Sequence, residues 1–367
     1  VKLAELKAPF PWFGGKSRAA ALVWAAFGDV PNYVEPFAGS LAVLLGRPTP
    51  ARIETVNDLD CYLSNFWRAL SGGGADVVAS YADWPVNEAD LHARHRWLVD
   101  QVAFRERMHS DPDYYDARVA GWWVWGLCQW IGGGWCAGSN WDDLEERPRG
   151  RNTAGEARRP NLYASNGVLG QRLRKRDLEG ASTWRKRPQL GTGRGVARQL
   201  PMLRGDSGAA GAGVHATGRA GAVQEWLRSL SDRLRYVRVC CGDWLRVLGR
   251  TPTERIGTTG VMLDPPYGRA AGRDPSLYSR ESLDVAARVR EWALEHAANP
   301  RLRIALCGYE GEHEMPESWQ CVSWKAAGGF AAAAGNTENS KRERIWFSPA
   351  CNRLGSHGPL FDQVVTG

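Results

Sequence analysis

Asp264-Pro265-Pro266-Tyr267 sets one carboxylate, two prolines and an aromatic ring in succession after the short apolar run 260–263. That run is brief and flanked by glycine, so it reads as a buried strand rather than a helix. Prolines fix φ and cannot extend a ladder, so they stiffen the loop that leaves the strand. A stiff loop there offers an acidic oxygen, backbone carbonyls with no competing N–H, and a flat face. Such a set suits a planar base with an exocyclic amine, supplying acceptors for its two N–H groups and a ring to stack on. The same four residues also fit a plain strand end with a proline turn and a solvated aspartate.

Elements upstream must position that loop. The opening segment 10–16 ends in Gly14, Gly15 and Lys16, where two glycines let backbone approach a ligand while an ammonium reaches an anionic group. It is not a phosphate loop, because the Gly-x-x-x-x-Gly-Lys-Ser/Thr spacing is absent. A helix is expected over 19–26. Residues 33–37 read as a strand, 38–40 as a tight turn, and 41 onward as a helix ending near Gly46. Strand, small-residue turn and helix form the front half of a nucleotide-binding βαβ unit. A second strand over 52–56 leads to Asp58, placed for a ribose hydroxyl pair, with Asp60 as the spare. Both aspartates also suit the cap of a helix running through Trp67.

In this order, Trp12-Phe13-Gly14-Gly15-Lys16, Glu35-Pro36-Phe37-Ala38-Gly39, Asn57-Asp58 and Asp264-Pro265-Pro266-Tyr267 resemble the motifs of Dam-type, S-adenosylmethionine-dependent DNA adenine-N6 methyltransferases. The resemblance covers 1–70 and 235–350. It implies an α/β, Rossmann-like methyltransferase fold, a mixed seven-stranded sheet flanked by helices. The catalytic domain would comprise 1–70 and 235–350. An inserted helical lobe with a basic target-recognition region would fill 71–234, and 351–367 would form a tail. The implied reaction carries a methyl group from S-adenosylmethionine to the N6 amine of a flipped-out adenine in double-stranded DNA. Asp264, Pro265, Pro266 and Tyr267 would be catalytic. Trp12, Gly14, Gly15, Lys16, Glu35, Pro36, Phe37, Gly39, Asp58 and Asp264 would surround the cofactor. Asp243 and Trp244, following a strand over 236–241, would hold its adenine, or Asp243 would simply cap a helix. One departure stands out: the family's second glycine, two residues after Gly39, is Leu41 here.

Between the blocks, 81–131 reads as helical with breaks near Pro85 and Pro112. Trp84, Leu91, His95 and Leu98 fall at helix-like spacing. Trp122, Trp123, Trp125 and Trp130 are expected as core of this lobe, with groove lining as the minority reading. Residues 147–206 carry 15 Lys/Arg against 4 Asp/Glu, so a block of +11 sits in a chain of net charge +7. That is the electrostatic footprint of a polyanion-binding segment. Its densest points are Arg172, Arg174, Lys175 and Arg176, then Arg185, Lys186 and Arg187. These would grip DNA phosphates without revealing the sequence read. Further on, a helix is expected over 224–234 and another over 283–298. Strands are expected over 303–307, 322–325 and 344–347.

No apolar run approaches a membrane span, and no secretory leader is evident at the start. The eight scattered cysteines lack a Cys-x-x-Cys pair or a histidine at zinc spacing, so reduced thiols and no metal are expected. The implied compartment is the bacterial cytoplasm, with a phage origin and a restriction endonuclease partner both open. Two rivals remain: methylation of the exocyclic amine of cytosine, and a catalytically silent DNA-binding relative.

Overall fold

The computed structural model describes residues 6–10, 12, 15–85, 87–130, 135–136, 221–266, 282–324 and 342–355. Five parallel strands are laid down first: β1 (Asn32–Glu35), β2 (Ile53–Asp58), β3 (Val237–Cys241), β4 (Thr259–Leu263) and β5 (Leu302–Tyr309). A closing pair, β6 (Gln320–Ser323) and β7 (Glu343–Phe347), completes a seven-stranded sheet of order β3-β2-β1-β4-β5-β7-β6. β7 runs antiparallel to both β5 and β6, so the sheet is mixed. The chain turns one way from β1 through β2 to β3, then returns to place β4 on the other side of β1. A crevice opens at such a reversal, beyond the carboxyl ends of β1 and β4.

Alternation along the strands sorts side chains onto two faces. Tyr33, Val56, Met262, Ala305 and Cys307 enter one core, whereas Val34, Val261, Leu263, Ile304 and Leu306 enter the other. The first face is covered by α1 (Ala20–Phe27), α2 (Ala42–Leu45) and α3 (Cys61–Ser71). The second is covered by α10 (Ser282–His296) and a 3-10 turn, Trp244–Val247. Gly260 makes the first packing close, since a Cβ there would sit 2.7 Å from the Phe27 ring.

Further helices extend the first core: α4 (Ala75–Ala82), α5 (Glu88–Val99), α6 (Val102–Ser110), α7 (Ala117–Gln129) and α8 (Ala222–Leu234), with the short α9 (Arg250–Glu254) before β4. Side-chain caps start α3, α5 and α7: Asp60 accepts from the N–H groups of Tyr62 and Leu63, Asn87 from Ala89 and Asp90, and Asp116 from Val119. The Asn87 cap starts α5 at Glu88, so Trp84 lies ahead of that helix rather than on its face. Trp123 and Trp125 are fully buried, with Trp123 against Phe10 and Phe66. Trp130 instead stacks on His95 at 5.0 Å. Residues of α4, α7 and α8 share one continuous core with α1, α3 and the sheet. Cys351 is buried, and the Asn352 N–H donates to the Ala26 carbonyl, tying that segment to α1.

A buried ion cluster joins α8 to the sheet. Arg233 binds both Glu54 oxygens at 2.6 and 3.0 Å and donates to the Leu44 carbonyl. Arg47 lies 3.9 Å from the same carboxylate. Removing one member of a buried pair strands the other charge, at a cost of about 3–5 kcal/mol. Glu54→Gln is therefore expected to lower the unfolding free energy by that order in denaturant titration. Adding Arg233→Met should recover part of the loss.

Candidate active site

Carboxylates gather at the carboxyl ends of the strands flanking the crevice. Glu35 ends β1, Asp58 ends β2, Asp243 follows β3, and Asp264 follows β4. The centre of the group is an ion pair from outside the sheet. Lys16, almost wholly buried ahead of α1, places Nζ 2.9 Å from Asp264 Oδ2 and 4.0 Å from a Glu343 oxygen. The ammonium also lies 5.5 Å from the centre of the Trp324 ring. Burial alone lowers the pKa of this ammonium, but Asp264 and Glu343 outweigh it and hold the group above its ordinary value. The Asp264 side chain keeps 24% of its surface exposed, and its Oδ1 has no partner among the described residues. Pro265 and Pro266 follow, one buried and one half-buried.

Glu35 faces this pair electrostatically. Burial pushes its carboxyl up to about 8, the Tyr33 hydroxyl donating at 3.0 Å pulls it partly back, and the Asp264 carboxylate pushes it up again. The nearby Leu44 backbone N–H also pulls it down.

The loop between β1 and α2 is held by β2. Asp58 spends one carboxylate oxygen on the Gly39 N–H and the other on the Asp60 N–H, both at 3.0 Å. Burial pushes its carboxyl up to about 6 against the pull of those donors. Helix capping falls to Asp60 alone, while Asp58 braces the glycine loop. The Gly39 carbonyl accepts from the Trp67 indole at 2.9 Å, and Trp12 covers its α-carbon. With φ at +48° and Trp12 Nε1 only 2.8 Å from where a Cβ would stand, this site admits no side chain. Leu41 takes a left-handed φ of +54° and is fully buried. Leucine thus adopts a glycine-like backbone at a cost of about 1–2 kcal/mol, offset by the burial of its side chain.

Asn57, buried beside Asp58, was not among the expected site residues. Its amide donates to the Pro36 carbonyl at 3.1 Å and the Gly242 carbonyl at 2.9 Å, tying the ends of β1, β2 and β3 together. Its signal was its place in the Asn57-Asp58 motif at the end of an apolar strand. Asp243 caps the 3-10 turn through the Leu245 N–H at 2.8 Å and is otherwise exposed, while Phe37 stacks on Trp244 with ring centres 6.1 Å apart. Gly15 lies beside the Trp12 carbonyl. Gly14, Tyr267, Arg172, Arg174, Lys175, Arg176, Arg185, Lys186 and Arg187 lie outside the described residues. Among the described residues no helix is long and apolar enough to cross a membrane. Spacing along the chain also hid a Cys61, His109 and Cys241 cluster, which the fold brings together beside β3.

No protein-family model matches the chain, and a search of curated proteins finds no match.

Glu35 makes stability depend on pH. Its folded pKa lies above its ordinary 4.5, so the folded protein binds the proton more tightly than the unfolded chain does. The stability this confers is fully present below about pH 4.5 and is lost as pH rises through about 8. Glu35→Gln is expected to flatten that part of the stability curve, read by urea titration across the interval. An unchanged slope would mean that Glu35 ionises in the fold as it does in the unfolded chain.

Proposed function

We propose that the chain is an S-adenosylmethionine-dependent methyltransferase acting on the exocyclic amine of a nucleic-acid base. Within that class we assign it to the N6 amine of adenine in double-stranded DNA, on the Dam-like order of its motifs. The observation that carries the reading is Asp264. It stands where the chain leaves β4 at the switch point, is held by Lys16 at 2.9 Å through one oxygen, and keeps 24% of its side chain exposed, with no partner for the other oxygen among the described residues.

The cofactor fits the donor set. A molecule with a sulfonium, an ammonium and ribose hydroxyls suits a crevice edged by Glu35, Asp58 and Asp264, and its adenine suits Asp243 beside Trp244. Gly39 brings the loop backbone against the Trp12 ring, and Leu41 is fully buried, with its side chain in the core rather than the crevice. When bound, S-adenosylmethionine supplies an electrophilic methyl group.

The chain's own residues prepare the nucleophile. An adenine amine is weakly nucleophilic because its lone pair is delocalised into the ring. Asp264 Oδ1 and the Pro265 carbonyl accept its two N–H bonds and draw the nitrogen towards tetrahedral geometry, with Tyr267 as the stacking face. Lys16 fixes the carboxylate so that this acceptor needs no reorganisation. No covalent enzyme intermediate is required, and no cysteine takes part. The target amine is hidden in a duplex, so the base must leave the stack, at a cost of a few kcal/mol.

Nucleoside mass spectrometry of unmethylated plasmid DNA, incubated with the protein and S-adenosylmethionine, tests this. N6-methyladenine is expected with the native chain and is expected to fall below a few per cent of that level with Asp264→Ala. Methylcytosine in its place would keep the class and move the substrate. Activity retained in Asp264→Ala would remove Asp264 from the chemistry.

A further inference from the structure

Cys61, His109 and Cys241 come from three separate elements, the first residue of α3, the last turn of α6 and the last residue of β3. His109 and Cys241 lie 48 and 180 residues from Cys61 along the chain. In space, Cys61 Sγ is 3.3 Å from His109 Nε2 and 3.7 Å from Cys241 Sγ, and all three atoms lie within 4.8 Å of one another. With zinc–sulfur bonds of about 2.3 Å and zinc–nitrogen bonds of about 2.0–2.1 Å, a tetrahedron needs S···S of about 3.8 Å and S···N of about 3.6 Å. Two edges are close to those values already. A disulfide would need the sulfurs at about 2.05 Å and would leave the imidazole unexplained.

From this convergence we infer that Cys61, His109 and Cys241 form a binding site for one soft divalent metal ion of the zinc class. Two thiolates and one imidazole select such an ion, and the absence of a carboxylate or carbonyl from the trio disfavours magnesium and calcium. On binding, each S–H bond gives way to a sulfur–metal bond, and two protons pass to solvent. Cys61 and Cys241 are buried, whereas His109 is exposed, so water can reach the fourth position from that side. The Arg246 guanidinium donates to the Cys241 carbonyl at 2.8 Å, which fixes the backbone at that ligand.

The role of the ion is that of a clamp. Cys241 directly precedes Gly242, whose N–H donates to the Asp58 carbonyl and whose own carbonyl accepts from Asn57. A metal at this point fastens α6 to the edge of the crevice formed by β2 and β3.

The test is a titration of the full-length, reduced, metal-free chain with Co²⁺, followed by absorption. One equivalent is expected to bind with an intense near-ultraviolet sulfur-to-cobalt band. Cys61→Ser should abolish the band, and Cys321→Ser, at an exposed cysteine elsewhere, should leave it intact. His109→Ala, at an exposed position that carries little folding risk, should weaken Co²⁺ binding by more than about tenfold, since losing even an outer-shell partner costs that much. Absence of the band in the native chain would overturn the assignment, as would an unchanged affinity in His109→Ala. A Cys61–Cys241 disulfide in protein isolated under reducing conditions would also overturn it.

Discussion

The Lys16–Asp264 ion pair is the constraint on which the crevice depends. A buried ammonium is costly unless opposite charge compensates it, and here the compensation comes from Asp264 after β4 and Glu343 at the start of β7. The segment before α1 is thereby drawn over the ends of strands distant from it in sequence. Phe10 and Trp12 then pack among Phe66, Trp67 and Trp123, which anchors the same segment through apolar contact. Charge fixes where Lys16 ends, and the aromatic cluster fixes the path that leads there.

Backbone bracing does the rest. Asn57 and Asp58 together hold carbonyls and N–H groups at the ends of three parallel strands, which would otherwise leave the sheet with unpaired polar groups. Acidic side chains crowd this edge, and burial raises the pKa values of Glu35 and Asp58. Glu35 therefore holds a proton near neutral pH that a cationic ligand would displace, which couples ligand charge to proton release.

Much of this was legible in the sequence because apolar runs and small-residue turns act locally. The strands at 33–37, 52–56 and 260–263 lie within two residues of β1, β2 and β4 at every end. β2 runs on through Asn57 and Asp58 because both still pair with β3, a contact that a falling hydrophobic signal does not report. α2 is a single turn, since its entry at Leu41 is left-handed and Gly46 follows closely. What stayed hidden depends on long-range convergence. Nothing near Lys16 names Asp264 as its partner, nothing near Asp58 shows that its carboxylate serves Gly39, and no local spacing joins Cys61 to His109 and Cys241.

The most direct measurement is a crystal structure of the full chain grown with S-adenosylmethionine. One molecule is expected across the carboxyl ends of β1 and β4, with its ribose towards Asp58, its adenine towards Asp243 and Trp244, and its methyl group towards Asp264. A molecule seated elsewhere, or none bound at saturating concentration, would contradict the assignment of this crevice as the site of methyl transfer.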